Sequence, residues 1–332
     1  MSFDHKTSKG DSNVFRIGCA VSIGFEAIKE QLAPLENVQI IDISAVRKEE
    51  SDKPLFQGLV IYASQFSPQM VNWIQKQPLK WIHLVTAGTD PLHALSIPDA
   101  LHISSSGYLW ASTVAEHALA MLLTLGRGMD FSIRQIQTDQ WSRKELMPRL
   151  RRVKDLEVLI VGYGRIGSGI GCALKSLGAK VTGVASSRRV DDGVQVHQLL
   201  DLDALIPDAD VIILTLPLRP STRHLISRTQ FGLMKKTLIL INVSRGGVLD
   251  ETALCETLAD GGISCAGLDV FESEPLPLHH RLRSLPNVLL TPHVAGFGER
   301  GIEEAIAVNV RDNLQDILAG RPPRDQVHQE PD

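Results

Sequence analysis

Apolar residues gather in short runs along the whole chain, and stretches of helical spacing separate them. In the first third the runs fall at 15–21, 38–43, 58–62 and 81–85, with helical stretches at 25–32 and 68–75. Runs this apolar, alternating with helices, predict parallel strands in a sheet covered on both faces. Residues 114–125 (VAEHALAMLLTL) are apolar on nearly every side, which predicts a helix buried between domains or subunits. The alternation resumes at 157–161 and continues through 181–185, 211–218, 238–243, 265–270 and 288–291. That makes about six strands with crossovers, enough for a complete doubly wound sheet. Near the end, Ile302, Ile306, Val310, Leu314 and Ile317 share one helical face, and Gly320 and Pro322 stop the helix. The pattern predicts two α/β domains, the second with the fuller sheet.

Composition narrows the function classes. The 332 residues are about twice the usual length of one domain, in keeping with two. Lys plus Arg number 34 against 38 Asp plus Glu, so no basic excess is available to neutralise nucleic-acid phosphates. Cys19, Cys172, Cys255 and Cys265 form no CxxC pair and read as reduced residues, not as a disulfide framework or a zinc site. His279 and His280 are adjacent, without ligand spacing around them, so no metal is expected. The start, MSFDHKTSKGDSN, is polar, and no window approaches 18 uninterrupted apolar residues. Neither a secretory signal nor a membrane span is expected, and the expected location is cytoplasmic.

The first chemical signal is LIVGYGRIG, which supplies Gly162, Gly164 and Gly167 in GxGxxG spacing. The motif is weak alone, but an apolar strand precedes it, a helical segment follows and a second strand begins at Val181. In that βαβ setting Gly162 makes the tight turn, Gly164 lets backbone approach a pyrophosphate, and Gly167 permits close strand–helix packing. NAD-binding versions then carry Asp or Glu at the end of the second strand. Here that strand runs into Ala185, Ser186, Ser187, Arg188 and Arg189, with no carboxylate until Asp191. Hydroxyls and guanidiniums suit a 2′-phosphate, so NADP(H) is the preferred cofactor and NAD(H) the alternative.

Three later strand ends deliver polar residues to the side where doubly wound sheets bind ligands. The run 238–243 leads into Ser244, Arg245 and two glycines. The run 265–270 leads into FESEP, with Glu272 and Glu274, and 288–291 leads into Pro292 and His293. Each has a dull explanation singly, as a surface arginine, a turn glutamate or a loop histidine. Downstream of a dinucleotide loop the three together point to catalysis.

These residues lie in longer stretches that identify a resemblance. TAGTD (86–90), VAEHALAMLL (114–123), VGYGRIG (161–167), LPLRPSTRHLI (216–226), LMKKTLILINVSRGGVLDETAL (233–254), AGLDVFESEPLP (266–277) and NVLLTPHVAG (287–296) run in the order of one family. The chain resembles the D-isomer-specific 2-hydroxyacid dehydrogenases, which include glyoxylate and hydroxypyruvate reductases and phosphoglycerate dehydrogenase. The likeness covers about residues 80 to 320; the first 80 match in pattern only.

The resemblance implies two doubly wound parallel-sheet domains, with a Rossmann cofactor domain (106–291) inserted in a flavodoxin-like substrate domain (1–105 and 292–332). It implies reduction of a small 2-oxo acid, glyoxylate- or hydroxypyruvate-like, to the D-2-hydroxy acid. Arg245 would clamp the substrate carboxylate and polarise the keto oxygen, His293 would donate the proton, and Glu274 would raise and orient that imidazole. Glu272 is the competing carboxylate. Backbone amides around Ala87 and Gly88 would hold the substrate with Arg245 and His293. Implied cofactor contacts extend to Arg165, Ile166, Pro217, Thr222, Val243 and Gly296. Asp269 matches the residue that accepts from the nicotinamide carboxamide. A homodimer is implied, with Trp141 reaching across it, while loop 63–67 would line the side-chain pocket. Ala111 departs from the family, which often has a cofactor-contacting Thr there. The alternatives are a dinucleotide-sensing corepressor of this fold and a phosphite-type dehydrogenase; Glu274 argues against a formate dehydrogenase, which has Gln.

Overall fold

Both sheets form because runs of branched and aliphatic residues offer little solvated face, so all but the edge strands pair on both sides and are covered above and below. The computed structural model describes residues 14–327 apart from 22–23, 45–54, 66–67, 87, 89, 91–100 and 139–140. The chain divides into two units, Met1–Trp110 with Arg300–Pro331, and Ala111–Glu299.

In the first unit, β1 (Phe15–Cys19), β2 (Val38–Asp42), β3 (Gly58–Ile61), β4 (Trp81–Leu84) and β5 (His102–Ser105) make a five-stranded sheet. Its order is β2-β1-β3-β4-β5 and every pairing is parallel. This is the flavodoxin-like order. The helices Phe25–Leu32 and Ile302–Leu318 cover one face, where Ile17, Ile28, Val60, Trp81, Val310 and Leu314 form a core. The expected C-terminal helix thus packs with the N-terminal sheet. Strand β5, HISS, was not anticipated because it is short and half polar. Its Ser104, and Ser106 just after it, are satisfied by His83, which lies fully buried with Nδ1 2.8 Å from Ser104 Oγ and Nε2 2.8 Å from Ser106 Oγ; Ser105 Oγ donates to Thr86 O.

In the second unit, eight strands follow: β6 (Glu157–Val161), β7 (Lys180–Ala185), β8 (Arg189–Asp191), β9 (Val194–Gln198), β10 (Val211–Leu214), β11 (Ile239–Asn242), β12 (Cys265–Leu268) and β13 (Val288–Leu290). Their order is β13-β12-β11-β10-β6-β7-β9-β8. From β6 one branch runs through β7 and β9 and the other through β10, so the order reverses beside the glycine loop, as in a Rossmann sheet. The sheet exceeds the expected six strands by the hairpin of β8 and β9. RVD (β8) is the edge strand and runs antiparallel to β9, while VQVHQ (β9), paired with both β7 and β8, alternates buried Val194 and Val196 with exposed Gln195.

The helix Ala111–Gly126 buries Val114, Ala118, Met121, Leu122 and Leu125 in its own unit, against β11, β12 and the helix Arg165–Ser176. The burial of these residues comes from their own domain. Among the described residues, Gly107–Gly126 is the one helical run long and apolar enough to cross a bilayer by length and composition. The part from Ala111 is a core helix. The unit boundaries fall at 110/111 and 299/300, where 105/106 and 291/292 were expected. Residues 106–110 stay with β4, since Ser106 N donates to Leu84 O and Trp110 Nε1 to Val85 O. Residues after Thr291 stay with β12, because Val294 and Ala295 donate to the Asp269 carboxylate.

Candidate active site

The carboxyl end of β6 turns sharply at Gly162, whose φ of 102° lies in the region that favours glycine. A Cβ there would also sit 2.5 Å from Leu216 N, so no side chain fits the turn. Gly164 then opens the helix Arg165–Ser176 without any side-chain cap, and a Cβ on it would meet nothing closer than 4.0 Å. Gly164 and Arg165 are exposed, Ile166 is half-buried, and Gly167 is buried 2.7 Å (from its would-be Cβ) above Gly162 O. An uncapped helix start behind an open glycine is the local chemistry of a phosphate cradle. Tyr163, missed in the sequence, is buried with its ring over Gly171 and Gly183.

At the end of β7, Ala185 is half-buried and Ser186, Ser187, Arg188 and Arg189 are exposed. Both guanidiniums have protein partners. Arg188 grips Asp201 through Nε (3.2 Å) and Nη2 (2.7 Å), which lowers the Asp201 pKa. Arg189 donates to Tyr163 O and stands 3.7 Å from Asp191.

Three strand ends converge by local locks. After β11, buried Asn242 accepts from Ser244 N (3.0 Å) and Ser244 Oγ (2.7 Å) and donates to Arg245 O (3.1 Å). That turn holds Arg245, whose Nη1 donates to Ser244 O. Gly246 follows, and a Cβ on it would lie 1.8 Å from Phe271 C, so the arginine loop rests directly on the backbone that leads to Glu274. After β12, Glu274 Oε1 accepts from Phe271 N (2.9 Å) and Oε2 faces His293 Nδ1 at 2.7 Å. Glu272 pairs elsewhere: its carboxylate lies 2.8 Å from His224 Nε2, and its N–H donates to Glu251.

His293 has a φ of 53°, a conformation that costs a non-glycine residue on the order of 1–3 kcal/mol. Its N–H is held by Asp269 O (2.8 Å) and Thr291 O (3.1 Å). Asp269 is fully buried, with Oδ1 accepting from Thr291 Oγ1 (2.5 Å) and Val294 N (2.9 Å) and Oδ2 from Ala295 N (2.9 Å). The surroundings therefore make Asp269 the anchor of the histidine loop; its carboxylate is spent on protein donors rather than turned to solvent. Thr291 in turn stands 3.0 Å from His117 Nε2 on the helix Ala111–Gly126. Asn242, Gly246, Glu251, Thr291 and His117 were not read as site residues. The signal that could have marked them is their place in the stretches that carry the resemblance: Asn242, Gly246 and Glu251 in 233–254, Thr291 in 287–296 and His117 in 114–123.

Hydrogen bonding from Glu274 raises the His293 pKa, against the desolvation that lowers it; the Glu274 charge adds to the rise and Arg245 opposes it. Burial works to raise the Glu274 pKa, but the His293 hydrogen bond, the Phe271 N–H and the positive charges of His293 and Arg245 outweigh it and lower it. The carboxylate and the imidazolium thus favour each other's charged form.

The remaining expected contacts scatter. Pro217 is exposed, and its carbonyl accepts from Thr222 Oγ1, which also accepts from Arg219 N, so Thr222 closes its own turn. Val243 is buried and Gly296 half-buried. Gly88 belongs to the unit Met1–Trp110, and Ala87 lies outside the described residues, as do residues 66–67 of the expected pocket loop. Trp141 is 88% exposed.

Residues 119–295 match the family model described as D-isomer specific 2-hydroxyacid dehydrogenase, NAD binding domain. A glyoxylate reductase of Thermofilum pendens is 33% identical over 261 residues, 76% of this chain and 76% of that protein. A D-3-phosphoglycerate dehydrogenase of Synechocystis is 38% identical over 218 residues, 64% of this chain. The match spans only 38% of that relative's length, and 41% of the like-named protein of Methanocaldococcus jannaschii. A crystal structure of a D-isomer specific 2-hydroxyacid dehydrogenase from Xanthobacter autotrophicus, in complex with NADPH and MES, superposes with a TM-score of 0.80. It is 27% identical, over 96% of this chain and 98% of that one.

Proposed function

The chain belongs to the D-isomer specific 2-hydroxyacid dehydrogenase family, and from that premise we propose that it reduces a small 2-oxo acid of the glyoxylate or hydroxypyruvate type to the D-2-hydroxy acid, with NADPH as preferred reductant. The observation that carries the reading is the 2.7 Å pair of His293 and Glu274 beside the Arg245 turn. An imidazole that gives a proton to a keto oxygen must be acidic near neutral pH and must be in its charged, doubly protonated form before it acts. Glu274 supplies both conditions by stabilising the imidazolium and holding Nδ1–H, which leaves Nε2–H as the proton to give. Arg245 offers the planar fork that matches a 2-oxo carboxylate, and its charge helps polarise the adjacent keto group. Glu251 and Asp269 act through others, bracing the backbone of Glu272 and the loop of His293.

The glycine loop fits a dinucleotide, since the open approach at Gly164 and the uncapped helix start suit a pyrophosphate. A bound reduced nicotinamide would supply hydride to the carbonyl carbon. The absence of a carboxylate at Ala185 supports NADPH, with Ser186, Ser187, Arg188 and Arg189 as phosphate ligands. A 2′-phosphate would take Arg188 in competition with Asp201. We read the unit Ala111–Glu299 as the cofactor domain and the other as the substrate domain.

The chain is further proposed to act as a homodimer. Met129, Ile133 and Ile136 recur at i, i+4 and i+7 on the outer face of the helix Met129–Gln137, and all three are exposed, as are Trp141 and Met147. An apolar patch of this kind marks an interaction surface. The deciding experiment is a panel of 2-oxo acids assayed with NADPH and NADH. Turnover of glyoxylate or hydroxypyruvate is expected; dinucleotide binding without turnover of any acid would instead favour a sensing protein.

A further inference from the structure

One strand length from Arg245, Glu274 and His293, roughly 10–13 Å, a cavity of about 660 Å³ opens at the amino ends of β11, β12 and β13. Lys236 precedes β11, Ser264 precedes β12 and Asn287 precedes β13, and all three line it. The helix Met129–Gln137 closes the other side. Among the described residues three cations line this cavity, Arg134, Arg149 and Lys236, and no carboxylate does. Asp130 beside it pairs with Arg134, at 2.5 Å, which leaves two charges without a counter-ion among the described residues. Arg149 stacks its guanidinium 4.4 Å above the Phe131 ring, so that cation is held in place. Phe131, Leu258, Ile263 and Leu285 give the walls an apolar part, beside the polar Thr138, Ser264 and Asn287.

Gln135 lines the same cavity and is only 7% exposed. Its Oε1 accepts from Ser142 N, but its Nε2 has no partner, the one buried side-chain polar atom so left among the described residues. A buried amide donor without an acceptor is unfavourable, and like charges around one hollow repel each other. An anion in the hollow answers the repulsion, and with a turn of the Gln135 side chain it also gives Nε2 an acceptor. A bare inorganic ion would leave the apolar walls uncovered, and the volume falls within the range of about 300–1,000 Å³ usual for organic ligands.

We propose that this cavity is a second binding site, for a small organic anion whose carboxylate or phosphate meets Arg149, Lys236 and Gln135 and whose apolar body lies against Phe131, Leu258 and Ile263. It is distinct from the catalytic end and does not depend on which reaction runs there.

The test is a calorimetric titration of phenyl phosphate into the full chain carrying Arg188→Ala, Arg189→Ala and Arg245→Ala, which removes the anion-binding arginines of the catalytic end. One saturable site is expected, with phenol not bound and inorganic phosphate bound about tenfold or more weakly. Adding Arg149→Gln and Lys236→Gln should weaken binding roughly ten- to a hundredfold, and Gln135→Leu about tenfold. Lys236 is exposed, so Lys236→Gln alone keeps the test valid where the Arg149 variant does not fold. Absence of a saturable site in the first variant, equal binding of inorganic phosphate, or an affinity unmoved by Lys236→Gln would overturn the proposal.

Discussion

His293 Nδ1 lies 2.7 Å from Glu274 Oε2, while the other oxygen of the same carboxylate is fixed by Phe271 N–H at 2.9 Å. One end of the carboxylate is thus bolted to backbone and the other is aimed at the imidazole. This makes Glu274 a rigid counter-charge and not a mobile surface acid.

Loss of that counter-charge should be visible in the pH profile. Glu274 raises the His293 pKa, so Glu274→Gln lowers it. Reduction needs the imidazolium, and its basic limb should move to lower pH; oxidation needs the neutral ring, and its acid limb should move the same way. Superimposable profiles for wild type and variant would remove Glu274 from the pair. His293→Ala should cut kcat by roughly 10²–10⁴-fold with cofactor affinity nearly unchanged.

Arg245→Lys keeps the charge but not the fork. It should raise KM for the oxo acid and lower kcat together, by about tenfold or more in kcat/KM. Wild-type kinetics in this variant would make Arg245 a structural strand-end residue, held by Asn242 for the fold alone.

Cofactor choice tests the arginines after β7. A charge-assisted hydrogen bond is worth about 1.5–3 kcal/mol, so one such bond to a 2′-phosphate favours NADPH over NADH by roughly ten- to a hundredfold. Arg188→Ala with Arg189→Ala should erase most of this in kcat/KM and leave NADH activity nearly intact. A wild-type preference for NADH would show that Asp201 and Tyr163 keep these side chains for themselves.

Gly246→Ala forces a methyl group to within 1.8 Å of Phe271 C, where only backbone can give way. The arginine loop or the glutamate loop must shift. Stability should fall by about 1–3 kcal/mol in urea unfolding, and kcat/KM by roughly a hundredfold, since a misplacement of about 1 Å is worth that much. Dinucleotide titration should change little, because the Gly162 turn is untouched. Normal turnover would mean that the two loops do not need each other.

The other unit carries its own pH dependence. Burial pushes the His83 pKa from 6.5 down to about 3. Trp81 Nε1 donates to Ser104 Oγ, so Ser104 gives its proton to His83 Nδ1, and the Nε2–H goes to Ser106, which passes its own to Asn309 Oδ1. The ring is therefore neutral and protonated on Nε2. The unfolded chain takes up a proton below pH 6.5 that the native ring refuses, so this contribution is complete above 6.5 and is lost as pH falls toward about 3. The slope is at most about 1.4 kcal/mol per pH unit. Nitrogen-15 shifts of the ring at pH 5 check the tautomer; an imidazolium there would contradict it.

The sequence by itself determined the parts of this protein that are local along the chain. Apolar runs too continuous for a solvated face had to become buried parallel strands, and the glycine spacing after β6 had to become a turn into a helix start. Arg245, Glu274 and His293 were legible because each follows directly on such a run, and the end of a strand is where a buried chain first meets polar surroundings. The edge strands β5 and β8 were not legible, since an edge tolerates polar residues that blur the period, and β9 beside the edge alternates polar and apolar residues instead of forming a continuous apolar run. Although the resemblance favoured Glu274 over Glu272 two positions away, only the tertiary structure shows where each carboxylate goes, Glu272 to His224 and Glu274 to His293. It also spent the carboxylate of Asp269 on the histidine loop, gave Arg188 to Asp201 and pressed Gly246 onto Phe271. Each of these joins residues from separate strands and loops, so the outcome depends on strand register and on which neighbour reaches first. No period or motif within one segment carries that information.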